Sequence, residues 1–93
     1  MEASLKLKGK IDVIEPVVNF CYKWAINLGL SINSSAELAL ALDELVTDVI
    51  LHALKDEEAE FEVNFFSHPS FIEISLKEFG EPFESEKYRY DNK

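Results

Sequence analysis

Lysine and arginine are scarce in this chain. Its 93 residues hold 9 bases against 18 acids, with one cysteine, one tryptophan, three glycines and three prolines. The formal net charge of −9 excludes direct binding of duplex nucleic acid, because neutralising phosphates takes clustered Lys and Arg. The lone Cys21 excludes an intrachain disulfide and any zinc site built from several thiolates. It lies in an apolar helical pattern and reads as a small buried hydrophobe. No apolar run approaches the length of a membrane span. Met1 to Ser4 carries no signal-peptide pattern, so the cytoplasm is the expected compartment. Neither a repeat nor a low-complexity tract is present.

The apolar content of 47%, with seven Phe, argues for a globular chain. The length allows one domain with a modest core. We expect that domain over residues 1–83 and a polar tail over 84–93.

Apolar and basic residues alternate from Leu5 to Lys10, as in a short edge strand guarded by lysines. Val17, Phe20, Cys21, Trp24, Ala25 and Leu28 recur at helical spacing from Pro16 onward. Pro16 suits the first turn, Asp12 or Glu15 is placed to cap it, and Gly29 stands where a left-handed terminating residue belongs. Trp24 is expected in the core. Phe61, Val63 and Phe65, then Ile72, Ile74 and Leu76, alternate with polar residues around Ser67 to Ser70, which predicts an antiparallel hairpin. His68 reads as an exposed turn residue. The order of strand, helix, helix, strand, strand implies an α+β fold, with two helices packed on one face of a mostly antiparallel sheet.

The longest apolar-periodic run spans Ser34 to Leu54, with Leu38, Leu42, Leu45, Val49 and Leu54 on a core face. Ser34 and Glu37 match a capping box, and nothing breaks the run before Lys55. His52 reads as a packing or capping residue near the helix end. Within this helix, Glu44 and Asp48 are one turn apart. Like charges at that spacing destabilise a helix by roughly 0.2–0.5 kcal/mol. Either both point to solvent, or a cation, a basic partner or cleft water compensates them.

Glu44-Leu-Val-Thr-Asp48, then His52 and Ala53, a hairpin, and Glu78-Phe-Gly-Glu-Pro-Phe83 resemble the boxes of the histidine-kinase-like ATPase superfamily, the Bergerat or GHKL fold. The nearest branch is that of anti-sigma factors and serine-protein kinases. The resemblance runs from about Leu5 to Phe83 and implies an incomplete Bergerat-type sandwich. It implies ATP and Mg2+ as cofactors, and a regulatory protein of the sigma-factor or antagonist type as partner. By position, Glu44 matches the catalytic general base and Asp48 the residue that holds the metal. Glu78 matches the acid that reads the adenine amino group, and Gly80 the glycine that lets adenine approach the backbone. Carboxylates suit each of these tasks.

Three departures accompany the match. Asp48 stands where the family has Asn, and Glu78 where it has Asp. These 93 residues also stop before the lid and second glycine box that grip the phosphates. Phosphoryl transfer by this chain alone is therefore not expected, since that chemistry is mostly positioning and charge stabilisation. The alternative reading is a degenerate, non-catalytic protein-interaction module of the same fold, using the edge strand or the first helix for contact, with a homodimer among its arrangements.

Overall fold

The computed structural model describes residues 2–54, 57–78 and 81–89, and its account of side chains leaves out Ala53, Glu78 and 81–89. Strand β1 (Glu2–Lys8) leads through a 3-10 turn at Ile11–Val13 into helix α1 (Ile14–Asn27). Helix α2 (Ile32–Asp48) follows and widens into a π-turn, Val49–Ala53. Strands β2 (Glu60–Ser67), β3 (Phe71–Glu78) and β4 (Glu81–Arg89) complete an antiparallel sheet of order β1-β2-β3-β4.

The α+β architecture expected from the pattern is the one observed. Its inner face is assembled by register: Leu5 pairs with Val63, and Val63 with Leu76. Phe61, Val63, Phe65, Ile72, Ile74 and Leu76 are all buried there. From the helices, Val17, Cys21, Trp24, Leu38, Leu42, Val46 and Val49 close the core over them. Each fully buried large aliphatic or aromatic side chain stabilises the fold by about 1.5–3 kcal/mol.

Between α1 and α2 the chain turns within four residues, 28–31. Gly29 takes φ +97°, and its amide donates to the Ile26 carbonyl at 3.0 Å while that of Leu30 donates to Ala25 at 3.1 Å. These two bonds form a Schellman motif, and Leu30 supplies its buried apolar contact.

Several expectations are corrected. The cap of α2 is Ser31, not Ser34: the Ser31 hydroxyl accepts the Ser34 amide at 3.0 Å from an extended backbone. Because the Schellman turn is so tight, Ser31 is already in place to cap, and Ser34 falls inside the first turn. Neither Asp12 nor Glu15 caps α1, since the 3-10 turn feeds Val13 into the helix in helical conformation. Of the supposed tail 84–93, residues 84–89 lie in β4, which crosses the expected boundary at 83. Backbone pairing with β3, shifted in register between Leu76 and Lys77, forms this strand where no apolar alternation announces it.

Candidate functional site

Helix α2 presents its acids through simple geometry. Leu38, Leu42 and Val46 point into the core, which turns Glu44 outward and leaves Asp48 one turn further along the exposed side. Both carboxylates are open to solvent, so water screens the like-charge pair. Together with Ala41 and Leu45 they line a depression of about 320 Å³ that opens to solvent.

Two contacts flank this surface. The Thr47 hydroxyl donates to Asp43 Oδ1 at 3.2 Å. His52 Nε2 stands 3.9 Å from Asp48 Oδ1, with these side chains 73% and 70% exposed. At that length and exposure the pair contributes little to stability. Of the two roles expected for His52, packing is excluded by its exposure, while its place in the last turn, beside Asp48, agrees with the other. Directly after Asp48 the helix changes to the π-turn, where the Leu54 amide reaches the Val49 carbonyl at 3.1 Å. Such widened turns are rare and recur at functional sites.

Glu44 and Asp48 are therefore brought together as the spacing implies. Glu78 ends β3 with its backbone paired to Glu81, while its side chain and all of Gly80 lie outside the described residues. Sequence reasoning missed Ala41 and Leu45 as lining residues, although their place one turn before and one residue after Glu44 puts them on that flank. It also missed the π-turn, for which the sequence offers no breaker.

Exposed carboxylate oxygens suit a hard cation such as magnesium, which keeps several waters and takes one or two protein carboxylates. Among the described residues no group of three or more His, Cys, Asp or Glu converges for a metal, so a protein cage of the zinc or calcium kind is not formed there. Burial pushes the Cys21 thiol up to about 12, which makes it a core residue and no nucleophile.

At the other end of the hairpin, His68 is half-buried, not the exposed turn residue expected. Its ring stacks on Phe71 at 4.3 Å between centroids and lies 3.2 Å from Glu73 Oε1.

Over 68 residues the chain is 32% identical to the serine-protein kinase RsbW of Oceanobacillus iheyensis, a match covering 72% of this chain and 43% of that protein. The chain thus spans less than half the length of the curated relative it matches. No family model matches. The likeness supports a resemblance at the level of the family and no further. Among the described residues no helix is long and apolar enough to cross a membrane.

Proposed function

We propose that the chain acts as an ATP-binding regulatory domain of the anti-sigma-factor and serine-protein-kinase type. The observation that carries this reading is the placement of Glu44 and Asp48 one turn apart on α2, lining one depression, within a chain similar to a serine-protein kinase. In it Asp48 would hold Mg2+, Glu78 would accept a hydrogen bond from the adenine amino group, and Gly80 would let the base lie close to the backbone. Once the lid and second glycine box complete the site, Glu44 would accept the proton of a partner's serine hydroxyl as its oxygen attacks the terminal phosphorus and the bond from that phosphorus to the departing ADP oxygen breaks. Magnesium supplies charge neutralisation at the phosphates when bound. The partner is a regulatory protein of the sigma-factor or antagonist type, and the domain works in the cytoplasm.

The test is calorimetric titration of ATP, with and without magnesium, into the 93-residue protein. Saturable binding that needs magnesium and is lost in Glu78→Ala is the expected result. Absence of heat at millimolar ATP overturns the reading.

A second reading is favoured by the acids themselves. Asp48 and Glu78 depart from the family's residues, and Glu44 and Asp48 lie open to water. On this reading the same scaffold is a non-catalytic protein-interaction module, monomeric or paired with a second copy.

A further inference from the structure

Between Lys23 and Lys55 the sequence has no lysine or arginine, while Glu37, Asp43, Glu44 and Asp48 all fall in α2. On the same solvent side, Leu40 of α2 is 61% exposed and Leu51, in the π-turn that follows, is 56% exposed. They are eleven residues apart, about three turns of a regular helix, and the widened turn affects only the last three of these residues, so both stay on the solvent side. Glu44 and Thr47 complete the same stripe at steps of four, three and four residues. Asp48 adjoins it. Scattered exposed leucines are ordinary; two aligned ones with carboxylates between them form a continuous surface. Among the described residues no lysine or arginine forms an ion pair with Glu44 or Asp48.

We propose that this face of α2 docks a cationic amphipathic helix of a protein partner. Two apolar side chains three turns apart on the partner would cover Leu40 and Leu51, and lysines or arginines between them would meet Glu44 and Asp48. Charge complementarity selects the occupant. Nucleic acids and anionic membranes are repelled by a base-free acidic face. A second copy brings its own −9 charge and sets the same acids against each other. The proposal shares Glu44 and Asp48 with the nucleotide reading, so partner and magnesium would compete for these carboxylates, whereas Leu40 and Leu51 lie outside the depression and belong to the partner surface alone.

The probe is a fluorescein-labelled helical peptide with leucines at eleven-residue spacing and lysines between them, titrated into the 93-residue protein by anisotropy. Two controls share its length, one with the leucine positions scrambled and one with glutamate in place of lysine. We expect saturable one-to-one binding, at least tenfold weaker for both controls. Leu40→Ser, Leu51→Ser and Thr47→Lys each weaken it about tenfold, with melting curves that stay cooperative. Thr47→Lys tests the charge requirement while leaving Glu44 and Asp48 in place. Equal binding of the scrambled peptide, or affinity unchanged in all three variants, overturns the proposal. So does a dimer of the free protein that Leu40→Ser dissolves, since that makes a second copy the occupant. ATP titrated into Leu40→Ser separates the two readings: unchanged nucleotide binding with lost peptide binding assigns the surface to the partner alone.

Discussion

The indole of Trp24 stands 5.3 Å from the ring of Phe65, the planes tilted by 44°, and this contact fastens α1 to the middle of β2. Phe20 meets the same ring from one helical turn earlier, at 5.6 Å. Phe65 is fully buried and pairs across the sheet with Ile74. Phe65→Ala should therefore cost about 3–5 kcal/mol, from lost burial and the cavity left behind. Trp24 is the sole tryptophan, so its emission reports the site. A shift to the red with an early denaturation midpoint is expected. A midpoint within error of the parent would mean that α1 does not rest on this ring.

The helical connection makes a paired prediction. No atom lies within 4 Å of a Cβ built on Gly29, so Gly29→Ala is opposed by backbone conformation alone, at about 1–2 kcal/mol. Ser31→Ala removes the cap and should cost about 1 kcal/mol, whereas Ser34→Ala should cost less. Thermal melts of the three variants check the order; a larger loss at Ser34 than at Ser31 would return the cap to Ser34.

Cys21 should resist thiol reagents in the native protein and react at once in denaturant, because burial keeps it protonated and inaccessible. Its folded pKa is raised, so the folded state holds a proton that the unfolded thiol gives up first. The stability it contributes is intact below the unfolded thiol value of about 8.5 and falls as pH rises toward about 12. Denaturation midpoints of the parent should decline through this window more steeply than those of Cys21→Ala.

Lys8 and Glu58 meet at 2.9 Å and tie β1 to the loop before β2. Hydrogen bonding and charge raise the Lys8 ammonium and lower the Glu58 carboxyl. The lowered carboxyl contributes above its unfolded value and is lost as acid protonates it in the fold. The raised ammonium contributes below its unfolded value and is lost in strong alkali. Both groups are exposed, so the gain is small and screened by salt. Glu58→Gln should flatten the acid limb of stability slightly in low salt and leave it unchanged in high salt. An equal effect in both salts would contradict a screened surface pair.

For the nucleotide reading, Asp48→Asn with Glu78→Asp introduces the residues of the resembled family at both boxes. The double variant should bind ATP at least tenfold more tightly than the parent in the same calorimetric assay. No gain would favour the interaction module over a nucleotide pocket.

The two core helices and the β2–β3 hairpin were legible because their apolar residues keep periods of 3.6 and 2, and burial enforces those periods. Gly29 was legible for a related reason: few residues accept a positive φ. The four-residue spacing of Glu44 and Asp48 likewise placed them on one side of a helix. Position along the chain could not say which serine would face the first free amides of α2; the tight turn at Gly29 and Leu30 chose Ser31. The strand Glu81–Arg89 was hidden because it forms by backbone pairing with β3, and its side chains follow no apolar alternation.

The sequence by itself determined the class of fold, the core faces and the side of α2 on which the acids stand, since each follows from local periodicity and the hydrophobic effect. Tertiary structure decided the rest. Packing of α1 and the sheet against Leu38, Leu42 and Val46 left Glu44, Asp48 and Leu40 facing water. The neighbouring turns of α2 gave the acids Ala41 and Leu45 as company, and the widened turn after Asp48 set His52 beside it. These are relations between groups that only the folded chain brings into place.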